Sequence, residues 1–305
     1  MELYWAGKDI TRYVNILSCV HRDYSSGRAD SVELVLDDAA AWYRWGPKED
    51  DEVRVVSDGD DTGTMFLDTV IPDGDRFRII ATALRRDAAR KCWKSYENTT
   101  IDALFGACAA ECRMKAALWG VDGALAYRYI LRQNEGAAAF LNRVGCMEGA
   151  LVKAYGGAIR AVGLEAAQAM KPAAALKITT EQSGIRYERR MKSKLGVLTV
   201  KTPGAEVSAR DGTAEEGNSE IVTRVPAGGP AEAGRWARGL LRMRNRQAEE
   251  ISMETELNTA MTAMVRVDVT GETDMAGRWI VDSAEHDLID KRTRTRLLRV
   301  TDSVE

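Results

Sequence analysis

The sequence predicts a mainly β protein with two similar antiparallel β-barrel domains in one chain and an α+β unit inserted between them. Three observations carry this prediction. Short amphipathic strands dominate both ends of the chain, the apolar period turns helical in the middle, and strand motifs from the first end recur in order at the second. The expected units are residues 1–89 for the first barrel, 90–165 for the insertion and 166–305 for the second barrel.

The first barrel rests on SVELVLDD from Ser31, which alternates Val32, Leu34 and Leu36 against polar residues, and on DEVRVVSD, GTMFLDTV and RFRIIATAL. Asp and Gly clusters separate these runs and read as turns. The period then changes. Thr99 is placed to cap a helix with Asp102 three residues on, and Ile101, Leu104, Phe105, Cys108 and Cys112 fall on one helical face. A second helix is expected from Glu135 to Met147, with Ala137, Phe140, Leu141 and Val144 on one side. Gly156 and Gly157, set between LVKAY and AIRAV, predict a tight hairpin, because a type I′ turn needs positive φ at both central positions.

Strand patterning returns at Leu176. Residues 202–230 are poor in large apolar side chains and are expected to form a mobile loop inside the second barrel. A helix over residues 230–250 follows, opened by Pro230, with Ala233, Trp236, Ala237, Leu240 and Leu241 buried. ISMETEL, AMVRVDV, RWIVDSAE and TRTRLLRV then read as four closing strands.

These closing strands match the opening ones. SVELVLDD at Ser31 aligns with SMETELNT at Ser252, EVRVV at Glu52 with MVRVD at Met264, GTMFLDTV at Gly63 with GRWIVDSA at Gly277, and RFRIIATAL at Arg76 loosely with TRTRLLRVT at Thr293. Any one match is weak, but four in the same order indicate an internal duplication.

Of the 305 residues 45% are hydrophobic and 29% charged, the composition of a globular protein long enough for two or three domains. No apolar run approaches the roughly 18 residues a membrane helix needs, and MELYWAGKDI does not look like a signal peptide. A net charge of −3 argues against non-specific nucleic-acid binding. The charge is nonetheless segregated: residues 47–61 are acidic, while IRYERRMKSK from Ile185 and RWARGLLRMRNR from Arg235 are basic. The ordinary reading is solvated faces. The alternative is a subunit interface across which Asp50, Asp51, Glu52, Asp58, Asp60 and Asp61 of one domain meet Arg186, Arg189, Arg190, Lys192 and Lys194 of another.

Catalysis finds little support. His21 and His286 are the only histidines and lie far apart in sequence, and no GxSxG, P-loop or HExxH is present. The five cysteines are scattered, and Cys108 with Cys112, though spaced as a helical metal pair, sits on a core stripe; reduced, buried thiols are expected. Asp58, Asp60 and Asp61 could gather around calcium, but EF-hand spacing is missing and turn chemistry is the plainer reading. No catalytic residue, cofactor or metal is assigned.

GKDITRYVNILSCVHRDYSSGRADSVELVLDD, WYRWGPKEDDEVRVV, KSYENTTIDALFGACA and NEGAAAFLNRVGCMEGALVKAYGGAIRAV, in this order, resemble the phage late control D family. The resemblance spans nearly the whole chain apart from residues 202–230. It implies a baseplate hub protein of a contractile tail with tube-like barrels, a homotrimer whose six barrels imitate a six-fold ring. It further implies a hexameric tail tube protein on one side, a trimeric central spike protein on the other, and tape measure and baseplate wedge proteins as further neighbours. Assembly in the bacterial host cytoplasm and residence in the tail baseplate are implied with them. Two other readings stay open: a baseplate-bound peptidoglycan hydrolase, which needs a cleft of paired acids or a histidine constellation, and the hub-like front of a secretion-system spike, which needs a downstream β-helical needle. The latter is not expected, since the chain ends at TDSVE after its last strand.

Overall fold

Alternation of buried and exposed residues builds the first strand set around one core. It comprises β1 (Glu2–Trp5), β2 (Lys8–Asp9), β3 (Ile16–Tyr24), β4 (Ser31–Leu36), β5 (Glu52–Ser57), β6 (Asp60–Asp61), β7 (Met65–Asp73) and β8 (Arg76–Thr82). Val32, Leu34 and Leu36 of β4 face inward with Val53, Val55, Met65, Phe77 and Ile79, as period-2 patterning requires. The chain is known from a computed structural model that describes residues 1–179, 184–214, 217–271, 274–299 and 304–305. One element inside this set escapes strand patterning. α1 (Ala39–Trp45) starts where Asp38, at φ +60°, accepts from the Ala41 amide at 3.0 Å, and it stacks Trp42 on Phe77 at 5.7 Å.

The middle unit follows α2 (Arg86–Ala89). It consists of β9 (Cys92–Thr100), α3 (Ile101–Glu111), β10 (Lys115–Trp119), β11 (Ala126–Glu135), α4 (Ala137–Met147), β12 (Ala150–Tyr155), β13 (Ala158–Gly163) and α5 (Leu164–Ala169). Both predicted helices form, each starting later than expected. Thr99 remains in the ladder opposite Tyr127, so Thr100 caps α3 by accepting from the Ala103 amide at 3.2 Å. Glu135 likewise remains paired with Cys92, and α4 begins after Gly136. Gly156 and Gly157, at φ +58° and +74°, turn β12 into β13 as the hairpin motif predicts. Cys108 and Cys112 lie in the core of this unit, where burial pushes the Cys112 thiol up to about 11.

The last part comprises β14 (Ala174–Ile178), β15 (Ile185–Arg189), β16 (Val197–Thr202), β17 (Ala205–Arg210), β18 (Ser219–Val222), α6 (Pro230–Asn245), β19 (Glu249–Glu256), β20 (Arg266–Gly271), β21 (Gly277–Asp287) and β22 (Arg292–Arg299). The loop expected over residues 202–230 is corrected here. β17 and β18 arise within it and flank β16 in a three-stranded sheet. Small and β-branched residues suffice because α6 covers this sheet, and Val200, Ala209, Trp236 and Leu241 share one core with the middle unit. Trp236 is fully buried, worth about 1.5–3 kcal/mol of apolar transfer by itself. Leu240, expected among the buried residues, is half-buried.

The duplication is visible as topology. The first set runs β3-β4-β8-β7-β5-β1 across the sheet, and the second runs β15-β19-β22-β21-β20, with β14 beside β20. Both carry a β-bulge at the same place: the register shifts between Leu67 and Thr69 in the first and between Val281 and Ser283 in the second. Asp68 and Asp282 occupy the bulges, in agreement with the alignment of Gly63 on Gly277. Taking the bulges as equivalent corrects the other three alignments. Ser31 corresponds to Glu250 and not Ser252, Glu52 to Arg266 and not Met264, and Arg76 to Arg292 and not Thr293. The first two are slips of two residues, which preserve the apolar face and so escape pattern matching; the third is a slip of one, in a run whose alternating Arg and Thr leave the apolar face unmarked. The outermost strands do diverge: β1 is antiparallel to β5, whereas β14 is parallel to β20.

Candidate assembly site

The two strand sets are hydrogen-bonded to each other. The second half of β21 runs antiparallel to β3, with Ala284 opposite Asp23, Glu285 opposite Arg22, His286 opposite His21 and Asp287 opposite Val20. One continuous sheet therefore passes from copy to copy, and Arg22 Nε reinforces the seam by donating to Glu285 Oε2 at 2.8 Å.

Charged groups fill the interior of this joint. Lys153, projecting from β12, pairs with Asp23 and with Asp30, the latter at 3.0 Å. Asp23 also accepts from the Ala263 amide at 2.8 Å and Asp30 from the Tyr24 amide at 2.9 Å. Burial pushes the Asp30 carboxyl up to about 6 although Lys153 pulls the other way, while Lys153 stays above the ordinary lysine range because the two carboxylates outweigh its own burial. His21 donates or accepts through Nδ1 with Asp60 Oδ2 at 2.9 Å. Burial disfavours the imidazolium, but the Asp60 bond and nearby carboxylates prevail and raise the His21 pKa. His286, 6.0 Å away ring to ring, is shifted down, mainly by burial, and bonds Thr293 Oγ1 at 3.0 Å. A cavity of about 460 Å³ borders the cluster, lined by His21, Asp60, Lys153, Tyr155, Arg160 and Met264.

The bulge residue Asp282 ties a third element in. Its carboxylate takes Arg246 Nη2 at 2.7 Å, Arg296 Nη1 at 2.7 Å and Ser25 Oγ at 2.8 Å. Arg246, just past α6, is buried, and desolvation pulls its pKa below the ordinary arginine value. Asp282 thus clamps the helical segment, the second strand set and the first.

The charges singled out in the sequence fare differently. Asp60 turns inward to His21 and is 5% exposed, so it belongs to no surface patch. Asp61 pairs with Arg54, whose hydrogen bonds hold its carboxyl below the usual range, and Asp58 pairs with Lys291 at 2.6 Å. Glu52 pairs with Arg85 at 2.8 Å, Asp50 accepts from the Arg86 amide, and Asp51 from the Lys48 amide. On the basic side, Arg186 and Arg190 reach Glu188, Arg189 lies 3.9 Å from Glu249, and Lys194 bonds Thr213 Oγ1. Lys192 holds Asn218 through its backbone carbonyl. The acidic set and the basic set do not meet each other within one chain; Glu52, Asp58, Asp61, Arg186, Arg189 and Arg190 have ion-pair partners close by, whereas Asp50 and Asp51 accept from backbone amides. Asp23, Asp30, Lys153, Arg246 and Asp282 were not singled out at all. Lys153 carried a signal, since it is the one charge in the apolar run ALVKAY.

His286 and Thr293 are fully buried, and among the described residues no group of three or more His, Cys, Asp or Glu is placed to hold a metal.

No protein-family model and no curated protein matches the chain. Solved structures do. The 43 kDa tail protein of prophage MuSo2 from Shewanella oneidensis superposes with a TM-score of 0.72 at 12% identity, covering 100% of this chain and 99% of that one. A tail protein from Neisseria meningitidis MC58 gives 0.73 at 13% identity, with 98% and 95% covered. The E. coli c3393 protein, described as a type VI secretion component structurally similar to the T4 tail proteins gp27 and gp5, gives 0.60 at 10% identity, with 99% and 78% covered. At these identities the likeness is one of fold.

Proposed function

We propose that this chain is a structural subunit of a phage-type tail, acting as a baseplate hub and not as an enzyme. The observation that carries the reading is the joint itself: two copies of one strand set, alike to the position of a bulge, lie side by side in one sheet within a single chain. Three such chains present six barrels, and a three-fold object then offers six nearly equivalent positions to a hexameric neighbour. Likeness over whole chains to two phage tail proteins supports the same reading, as does the sequence resemblance to the late control D family. On this proposal the chain is a homotrimer of a contractile tail, assembled in the bacterial cytoplasm, seating a trimeric central spike on one face and the tail tube on the other. Tape measure and baseplate wedge proteins would be further neighbours.

A second reading, the hub part of a secretion-system spike, is favoured by the likeness to the E. coli type VI component. Both readings share the ring. Mass measurement and electron microscopy of the chain, alone and co-expressed with the adjacent gene's product, test it. A three-fold ring of six barrels is expected; a monomer under both conditions overturns it. Clearing of cell-wall suspensions by the purified chain would overturn the non-enzymatic part.

A further inference from the structure

Whatever holds the copies together inside a chain has a counterpart that is left open. In β21 the first half pairs with β20 and the second half with β3. In β7 the first half pairs with β5 in the same way, but the second half, residues 69–73, has no strand partner on that side among the described residues. The counterpart of β3, which is β15, also ends the sheet with one edge unpaired among the described residues. The chain thus shows one made joint and the two unlike halves of a second.

We propose that the outer edge of β7 pairs antiparallel with β15 of a second copy of this chain, repeating the joint between β21 and β3. This rests on the ring reading above and names the contact that closes the ring. The register follows from the equivalences. Tyr187, Glu188 and Arg186 take the places of His21, Arg22 and Val20, because each sits opposite the equivalent residue of β19 or β4. Transferring the pairs of the made joint sets Val70 against Arg189, Ile71 against Glu188, Pro72 against Tyr187 and Asp73 against Arg186.

Three features agree with this placement. Positions buried in the made joint, Ala284 and His286, correspond to Val70 and Pro72, which are apolar yet exposed, Val70 by 38%. Charge is complementary: Asp68, Asp73 and Asp75 border the β7 edge, and Arg186, Arg189 and Arg190 border the β15 edge. The same acids disfavour pairing of two β7 edges, which directs the contact head to tail and lets it close into a ring. Pro72 has no N–H, so this ladder can lack one hydrogen bond that the made joint has, and side-chain contacts carry correspondingly more.

Paired cysteines test the register. A chain carrying Asp73→Cys and Arg186→Cys, oxidised, is expected to give covalently linked dimers and closed trimers on denaturing gels; either single variant and the parent chain are not. Charge reversal gives an independent readout. Asp73→Arg or Arg186→Asp alone is expected to weaken trimerisation about twofold to fivefold per joint, and the double reversal to restore it. A parent chain that is trimeric by mass but yields no link at these positions, and is indifferent to both reversals, overturns the joint and leaves the ring standing. A parent chain that stays monomeric alone and with its neighbour overturns both.

Discussion

Asp282 and Asp68 stand at the same β-bulge in two copies of one strand set, and their surroundings could hardly differ more. Asp282 holds Arg246, Arg296 and Ser25, whereas Asp68 is exposed and, among the described residues, accepts a side-chain hydrogen bond only from the Thr69 hydroxyl, at 2.7 Å. A bulge leaves one residue unpaired and turns its side chain out of the regular alternation. Where a neighbouring sheet has arrived, that side chain becomes the anchor of a joint; where none has, it stays in water. The geometry was duplicated, and the occupancy was not.

Removing the two aspartates in turn separates the anchor from the backbone feature. Asp282→Ala leaves the buried Arg246 guanidinium without its carboxylate and is expected to cost about 3–5 kcal/mol, while Asp68→Ala should stay within about 0.5 kcal/mol. Urea unfolding of the isolated chain measures both, and equal losses would show that the bulge matters only as backbone.

What the second copy alone acquired can be probed at Gly239 of α6. A Cβ there would lie 2.1 Å from the Met147 carbonyl oxygen and 2.6 Å from the Gly149 amide, both backbone. Gly239→Ala therefore forces α6 away from α4 and should cost about 1–3 kcal/mol or more. A wild-type melting curve would mean that the helix is not held against the middle unit.

Protonation sharpens the contrast inside the joint. Asp30 has its carboxyl raised to about 6 by burial, so its contribution to stability is fully present below its ordinary value of 3.8 and is lost as pH rises through 6. Asp30→Asn does not ionise. Relative to wild type it is expected to gain about 1–3 kcal/mol between pH 4 and pH 7. A flat difference across that range would show that Lys153 compensates Asp30 fully.

The smallest effect belongs to the open edge. Arg186 meets Glu188 on an exposed surface, so Arg186→Ala should change the stability of the single chain by about 0–1 kcal/mol. A larger loss in dilute solution would place Arg186 within the fold of one chain and remove the reason for reserving it for a contact between chains.

Periodicity along the chain was enough for the class of fold and for the existence of a duplication. Strand faces, helix faces and a Gly-Gly turn are local, periodic facts. Shared spacing around Gly63 and Gly277 was enough to set one strand pair in true register. The sequence did not determine the other three registers: at Ser31 and Glu52 a shift of two residues returns the same alternation, at Arg76 the shift is one in a run of alternating Arg and Thr that marks no apolar face, and only the ladder opposite each strand removes these ambiguities. The strands within residues 202–230 were illegible for a related reason: their side chains are small, and they hold because α6 and the middle unit cover them. The joint was beyond reach. His21 and His286 are 265 positions apart and become neighbours because β21 finds β3, and Lys153 and Arg246 are tolerated in the interior because carboxylates from distant strands converge on them. Burial of charge is decided by partners, and partners on separate strands are brought together by the tertiary structure alone.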